Sequence, residues 1–275
     1  MLKRILLGLG GTPYTASEIQ FAIDIASHHH AEVTAATVMD LARISDIGPV
    51  PLGGSAAAAT LTQHRMEQAQ EAIDAAIRQF NQRCSEATIR TRVLQEAGNP
   101  QEELFNLWRY HDLTLLSLQS LFEYGVVRDP RNLITKIIRH GVKPVLATPR
   151  EYRTIRKVLI AYDGTMHAAA AMQRFIQLRP VGEIDIEVVC FHFTEENAKP
   201  LLRDAASYCE LHGMKAATAL RPEEPKEGLL KYAEESKADL IVMGCGEHGR
   251  LLSHLLGSTT LHAVEHSQLP LFLMQ

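Results

Sequence analysis

The stretch DLIVMGCGEHGRLLSHLLGSTT, residues 239–260, contains in order the signals of a strand, a glycine-rich loop and a helix start. Asp239–Met243 is a mostly apolar run of strand length, and the glycines after it permit a tight turn. Gly257, Ser258 and Thr259 then open a segment with helical periodicity, and hydroxyl residues suit a helix start with free backbone N–H groups. Proteins build phosphate-binding cradles from these parts. The alternative is that the glycines only turn the chain.

The composition restricts the class of protein. The chain has 275 residues, of which 46% are hydrophobic and 22% are charged, and its formal net charge is −4. These values are typical of a soluble globular protein with one large domain or two ordinary ones. The negative charge argues against a nucleic-acid partner, and no apolar segment approaches the roughly 20 residues needed to cross a bilayer. The N-terminal apolar run is too short for a secretory signal, so we expect a cytoplasmic protein without a membrane partner.

Cysteines and adjacent histidines do not form a metal or redox pattern. The four cysteines lack the close spacing of a zinc site or a redox dithiol. Cys245 lies inside the glycine loop, where we expect an unreactive neighbour rather than a nucleophile. His28, His29 and His30 would face different directions on a helix, so a solvated helix end is preferred over a metal site.

Short apolar runs alternate with amphipathic segments, which predicts alternating strands and helices. Gly48–Thr60 is rich in Ala, Gly and Pro and is predicted to be a mobile loop, followed by a long amphipathic helix over Leu61–Cys84. The predicted strands are Lys3–Gly11, Glu32–Met39, Thr88–Leu94, Asp112–Leu118 and Pro144–Ala147 in the first half, and Lys157–Gly164, Ile184–Phe193, Lys215–Leu220, Asp239–Met243 and Leu269–Met274 in the second.

The second half of the chain repeats the first. KRILLGLGGT from residue 3 resembles KVLIAYDGT from residue 157, DLTLLSLQ from residue 112 resembles DLIVMGCG from residue 239, and VKPVLATP from residue 142 resembles QLPLFLMQ from residue 268. The polar segment Pro149–Arg156 separates the copies, so we place one domain at residues 1–150 and another at residues 151–275. The pattern predicts an α/β fold with two similar doubly wound domains, each with a five-stranded, mainly parallel sheet flanked by helices.

Two features of the second half should meet at one edge of its sheet. Asp163 ends the first strand, and the glycine loop follows the fourth. Ligands of open parallel sheets bind beyond the carboxyl ends of the strands, where the strand order reverses. A carboxylate there can hold a ribose hydroxyl or a metal ion that bridges phosphates. The residues therefore predict a nucleotide site between Asp163 and Gly257.

Both halves resemble the universal stress protein family, so the chain is similar to a tandem member with two such domains. The family's nucleotide motif is a glycine, two residues, a second glycine, nine residues, and a glycine followed by Ser or Thr, with an Asp at the end of the first strand. Asp163, Gly244 and Gly257-Ser258 match it at the expected interval. The resemblance implies a Rossmann-like fold of the adenine nucleotide alpha hydrolase type. It also implies ATP or AMP as ligand, with Mg held at Asp163 only together with the nucleotide.

Two departures from the family pattern bear on the site. Glu247 stands where the middle glycine is expected, and its carboxylate would repel a phosphate, whereas His248 and Arg250 beside it would offset that repulsion. In the first half, Gly10 stands in the acidic position and Leu121–Asn132 replaces the glycine loop. The comparison therefore predicts binding in the second half, with the first half as a structural or regulatory partner.

The resemblance also assigns the remaining site residues. Adenine would meet main-chain groups near His192 and Phe193, although a core role for the His192 side chain is the preferred alternative. No catalytic residue is assigned. The residues predicted to bind the nucleotide are Asp163, Thr165, Phe193, Gly244, Gly246, His248, Gly249, Arg250, Gly257, Ser258 and Thr259.

Three functions are compatible with these residues. The first is a stress-response regulatory protein that binds ATP or AMP in the C-terminal domain. The second is a weak ATPase or nucleotide-dependent enzyme, although no Walker lysine motif, nucleophile elbow or zinc helix is present. The third is a ligand-free scaffold whose site is closed by Glu247. Single-domain members of the family that the chain resembles commonly dimerise through their last strands, so we expect Pro144–Thr148 and Pro270–Met274 to pair within one chain as a pseudo-dimer. Composition leaves a homodimer of whole chains open.

Overall fold

The computed structural model describes residues 1–51, 53–118, 122, 143–191, 194–246 and 257–275, and strands and helices alternate along these residues. The first half contains strands β1 Arg4–Gly8, β2 Glu32–Met39, β3 Thr91–Ala97, β4 Leu113–Ser117 and β5 Val145–Thr148, and helices α1 Thr15–His29, α2 Leu41–Ser45, α3 Ser55–Glu86 and α4 Pro100–Trp108. The second half contains strands β6 Lys157–Ala161, β7 Asp185–Phe191, β8 Ala216–Arg221, β9 Leu240–Gly244 and β10 Leu271–Met274, and helices α5 Met166–Leu178, α6 Glu195–Leu211, α7 Pro225–Glu235 and α8 Ser258–His266.

All of these strands belong to one sheet, in the order β3-β2-β1-β4-β5-β10-β9-β6-β7-β8. Within each half, every pair of neighbouring strands is parallel. The order is the same in both halves, with the first strand lying between the second and the fourth. The predicted α/β fold with five mainly parallel strands per half is confirmed. The predicted division at residue 150 falls between β5 and β6 and stays a prediction.

The two halves join through their last strands. β5 and β10 pair antiparallel, with Leu146 opposite Phe272. The predicted pairing of these segments within one chain is therefore confirmed, and it makes the two five-stranded sheets continuous. Phe272 is fully buried, and its ring lies edge-on to that of Phe175 with centroids 5.2 Å apart. The outer edges of the combined sheet are β3 and β8.

Side-chain alternation along the strands separates two hydrophobic cores. In β6, Val158 and Ile160 belong to one core and Leu159 to the other, because successive side chains point to opposite faces of a sheet. Helices α1, α5 and α6 contribute to the first core, and α4, α7 and α8 contribute to the second. Each core contains residues of both halves, so apolar burial also unites them. None of the described helices has the length and apolar composition needed to cross a bilayer.

Several element boundaries differ from the sequence prediction, and two of the differences have a clear physical reason. The predicted loop Gly48–Thr60 is wrong beyond Gly54, because α3 already begins at Ser55. Four consecutive alanines follow Ser55, and alanine has the highest helix propensity. The third strand begins at Thr91 rather than Thr88, since Thr88 adopts a left-handed conformation with φ 57° just after α3.

The prediction of a solvated histidine run is wrong for His29. His28 and His30 are exposed, whereas His29 is buried. Its Nδ1 accepts a hydrogen bond from the Leu2 N–H at 3.4 Å, so Nε2 carries the proton and donates to the Arg179 carbonyl at 2.9 Å. Because Arg179 follows α5, this bond joins the equivalent helices of the two halves.

Candidate functional site

A pocket of about 470 Å³ opens at the carboxyl ends of β6, β7 and β9. In the sheet, β6 lies between β9 and β7, so the strand order reverses at this point, where open parallel sheets bind ligands. Its volume lies within the range of small-molecule sites. The pocket is lined by Ala161, Tyr162, Asp163, Thr165, His167, Ala168, Phe191, Glu224, Pro225, Met243, Gly244, Gly246, Gly257, Ser258, Thr259 and Thr260.

The turn after β6 is held by its own side chains. Asp163 Oδ1 accepts hydrogen bonds from the N–H of Thr165 at 2.9 Å and from its hydroxyl at 2.7 Å. The Thr165 hydroxyl oxygen in turn accepts a hydrogen bond from the Ala168 N–H at 3.2 Å, which makes Thr165 the N-cap of α5. The chain therefore fixes the Asp163 carboxylate at the rim of the pocket and aligns α5 with it.

The glycines after β9 permit close packing between the loop and α5. A Cβ on Gly244 would lie 2.5 Å from the Ala168 backbone nitrogen, a distance that no side chain tolerates. A Cβ on Gly246 would overlap the imidazole of His167. A Cβ on Gly257 would lie 3.0 Å from the carbonyl oxygen of Gly246. Glycine at these positions thus lets α5, the loop and the start of α8 approach one another around the pocket.

The N-terminus of α8 forms the opposite wall. Its N-cap is Gly257, so no side chain caps the first turn of the helix. The Thr260 hydroxyl donates to the Gly244 carbonyl at 3.3 Å and ties this turn to the end of β9. Backbone N–H groups and the helix dipole favour negative charge at such a position. Ser258 is exposed and Thr259 half-buried, so a ligand can reach this wall.

The inner wall of the pocket is apolar. Ala161, Phe191 and Met243 come from the ends of three neighbouring strands. The Phe191 ring is 5% exposed and lies edge-on to the Tyr232 ring, with centroids 6.3 Å apart. An apolar wall opposite a polar, N–H-bearing wall suits a ligand with an aromatic part and an anionic part.

Charged groups are few among the lining residues that the structure describes. Asp163 and Glu224 contribute carboxyl groups, and His167 is the one described lining side chain with a nitrogen donor. No group of three or more His, Cys, Asp or Glu residues within the described ranges could hold a metal ion. Cys245 is fully buried, and burial raises the pKa of its thiol to about 12. That pKa agrees with the predicted unreactive role of Cys245.

The structure brings together every predicted site residue that it describes. All of them line the pocket: Asp163, Thr165, Gly244, Gly246, Gly257, Ser258 and Thr259. Phe193, His248, Gly249 and Arg250 lie outside the described residues, as do His192 and Glu247.

Nine of the described lining residues are absent from the predicted set, among them Phe191 and His167. Phe191 was assigned only to a strand, although it lies two positions before Phe193. His167 lies two positions after Thr165, at the start of a predicted helix, and its sequence neighbours carried no signal. What brings His167 to the pocket is the packing of its imidazole against Gly246, which is distant in sequence.

The corresponding position in the first half is built differently. Thr12 does not cap α1, which begins only at Thr15; instead the Thr12 N–H donates to the Thr15 hydroxyl at 3.0 Å. Ser117 ends β4 where Gly244 ends β9. Glu18 of α1 is fully buried nearby. Burial raises the pKa of Glu18 to about 8, and the polar groups of neighbouring Ser117 lower that pKa to a smaller extent. Neither Glu18 oxygen makes a hydrogen bond of normal geometry with a described residue.

Comparisons with known proteins agree with this architecture. A family model described as the universal stress protein family matches residues 1–120 and 154–274. A curated relative, Universal stress protein Slr1230 from Synechocystis sp., is 29% identical over 137 residues, which cover 49% of this chain and 48% of that protein. The chain thus matches about half the length of this relative.

Solved structures show the same fold over the whole chain. The crystal structure of a universal stress protein from Archaeoglobus fulgidus has a TM-score of 0.69 at 17% identity and covers 98% of both chains. A functionally unknown protein from Pseudomonas aeruginosa has a TM-score of 0.63 at 13% identity, covering 99% of this chain and 92% of that one. At such identities the likeness concerns the fold alone.

Proposed function

The chain belongs to the universal stress protein family, and we propose that it is a stress-response regulatory protein that binds an adenine nucleotide, ATP or AMP, in its C-terminal half. One observation carries the proposal. A pocket at the strand-order reversal has an apolar wall on one side and, on the other, a helix N-terminus whose N-cap is Gly257. A purine fits the first wall and a phosphate the second.

The described residues fit an adenine nucleotide. Gly246, Gly257, Ser258 and Thr259 would hold the phosphates, because glycine leaves the backbone accessible there and α8 presents its N-terminal N–H groups. Asp163 would hold a ribose hydroxyl, or a Mg²⁺ ion that is itself bound by the phosphates.

The rest of the predicted set belongs to the same proposal. Phe193 would meet the base with main-chain groups, and Thr165 would hold Asp163 in place. His248, Gly249 and Arg250 would complete the loop over the phosphates.

Differences between the halves support a single site. The first half has Gly10 in the place of Asp163, and Ser117 in the place of Gly244. Ser117 carries a side chain where Gly244 has none, and Glu18 is buried beside it. The first half would then act as a partner that shares the sheet and both cores with the binding half.

Direct identification of a ligand tests the proposal. Acid precipitation of the purified protein and chromatography of the supernatant should release adenine nucleotide, and calorimetric titration of the emptied protein should show binding of AMP or ATP. Gly257→Val should abolish binding, since the new side chain would press on the Gly246 carbonyl. Gly182→Ala is the matched control, because a Cβ there meets its nearest neighbour at 3.9 Å. Absence of binding to the wild-type protein would instead favour the ligand-free scaffold.

Phosphate release separates a regulatory protein from a weak ATPase. The regulatory proposal predicts binding without turnover above the background of a Gly257→Val preparation. Steady phosphate release that requires Mg²⁺ and disappears in Asp163→Ala would support the enzyme alternative.

Two broader parts of the proposal concern location and assembly. The four cysteines are free and buried, which is compatible with the reducing environment of the cytoplasm. A homodimer would need a surface other than the β5 and β10 edges, because these pair within the chain. Light scattering of the full chain tests whether such a dimer forms.

A further inference from the structure

His167 occupies a central position in the pocket. It lies in the first turn of α5, two residues after the N-cap Thr165, and is half-buried. Its backbone packs against Gly244, and its imidazole packs against Gly246. His167 therefore lies where the start of α5 packs against the end of β9 and the first residues of the glycine loop.

The contact with Gly246 determines which nitrogen of the His167 imidazole can reach a ligand. The ring atoms nearest to a Cβ on Gly246 are Nδ1, Cε1 and Cγ, so Nε2 lies farther from the glycine. The side chain of His167 makes no hydrogen bond or ion pair with another described residue. A polar ring that is packed on one edge and unpaired on the other can bind a ligand without first breaking an internal bond.

Carboxyl groups in the pocket make a hydrogen-bond donor such as His167 useful for binding a phosphate. The described lining residues include two carboxyl groups, Asp163 and Glu224, and either one in its ionised form repels a phosphate. The N-terminus of α8 favours an anion from one side. Hydroxyl groups also line the pocket, but His167 is the described lining side chain that can add a nitrogen donor.

We propose that His167 binds the phosphate end of the nucleotide through Nε2 and thereby sets the preference for phosphorylated over unphosphorylated adenosine. This inference rests on the proposed function and deepens it. Gly246 supports the contact, because only a residue without a side chain leaves room for the ring.

Titration calorimetry with adenosine and AMP tests the contact. His167→Ala should lower the affinity for AMP about tenfold, the loss expected for a hydrogen bond to a charged group, and should leave the affinity for adenosine unchanged. His167→Gln, which keeps an amide donor, should retain most of the AMP affinity. Equal losses for both ligands, or no loss for AMP, would overturn the inference.

A double-mutant cycle tests the role of Gly246. Gly246→Ala should weaken AMP binding in the wild-type background, because the new methyl group displaces the imidazole. In the His167→Ala background, Gly246→Ala should have little further effect on AMP binding, since the imidazole with which the new methyl group would collide is absent. Equal losses in both backgrounds would show that Gly246 does not act through His167 and would overturn the packing part of the inference.

Controls distinguish this inference from the proposed function. Tyr14→Ala changes the position of the first half that corresponds to His167, two residues after Thr12, and should leave both affinities unchanged. Urea unfolding of each variant without ligand shows whether the fold is retained. Binding of AMP that is insensitive to His167 would overturn this inference alone, whereas absence of all nucleotide binding would overturn the proposed function together with it.

Discussion

Asp163 and Thr165 are joined by two hydrogen bonds to a single carboxylate oxygen, at 2.9 Å from the Thr165 backbone nitrogen and 2.7 Å from its hydroxyl. The same hydroxyl oxygen caps α5 through the Ala168 N–H. The turn therefore links the acidic group of the pocket to the start of the helix that packs on the glycine loop. A change at Thr165 should affect stability and ligand binding together.

Thr165→Val should lower the free energy of unfolding by about 1 kcal/mol, because it removes the N-cap of α5. It should also weaken nucleotide binding, since Asp163 loses the hydroxyl that orients it. Urea unfolding without ligand and calorimetric titration measure the two effects. Thr165→Ser keeps the hydroxyl and is the control that should behave as wild type. Wild-type stability in the Val variant would contradict the capping role.

Gly244→Ala should destabilise the protein by about 1–3 kcal/mol, the usual effect of overpacking. The added methyl group would collide with the backbone of α5, which cannot move without displacing the turn at Asp163. Gly182→Ala serves again as the matched control and should be nearly neutral, since its nearest neighbour is at 3.9 Å. Equal stabilities of the two variants in urea would show that α5 can shift away.

Glu18→Gln should change how stability depends on pH. Burial raises the pKa of Glu18 from 4.5 to about 8, so the folded state holds this proton more tightly than the unfolded state. The resulting stability is complete below pH 4.5 and is lost as the pH rises to about 8. We expect wild type and variant to be similar near pH 5 and the variant to be more stable, by up to several kcal/mol, near pH 8. The difference between the two unfolding free energies across this range isolates Glu18. A constant difference would contradict the raised pKa.

Phe272→Ala should weaken both halves, because Phe272 is fully buried on the strand that joins them. Such truncations cost about 3–5 kcal/mol. The single tryptophan, Trp108, lies in the first half, so its fluorescence reports unfolding there. We expect the Trp108 transition in urea to move to lower concentration although the mutation is in the second half.

An exposed leucine in the second half supplies the control for the Phe272→Ala experiment. Leu211→Ala removes a side chain that is 85% exposed, and it should leave the Trp108 transition in place. If Phe272→Ala also left that transition unchanged, the halves would be independent folding units.

Much of the fold follows from local patterns. Apolar periodicity, with glycine and proline at the breaks, predicts the order of strands and helices, and Glu32–Met39 has the predicted bounds. Boundaries next to Ala-rich or polar segments are less accurate, as at Ser55 and Thr91, because local propensity and tertiary packing compete there.

In the site, too, some residues are predicted by sequence pattern and others are placed only by tertiary contacts. Asp163, Gly244 and Gly257 stand at recognisable sequence intervals, and the strands that precede or follow them bring them to one edge of the sheet. His167 has no such signal, because its importance comes from the ring contact with Gly246. Burial of His29 and Glu18 likewise depends on segments that are far apart in the chain.

The sequence by itself determined the α/β class, the duplication, and the glycine and acidic positions that the two halves do not share, because these features depend on residue type and spacing. Tertiary structure decided the antiparallel direction and the register in which β5 and β10 pair, and that Glu18 is buried. It also decided which side chain meets Gly246. The physical reason is that close packing selects among contacts that local sequence leaves equally available.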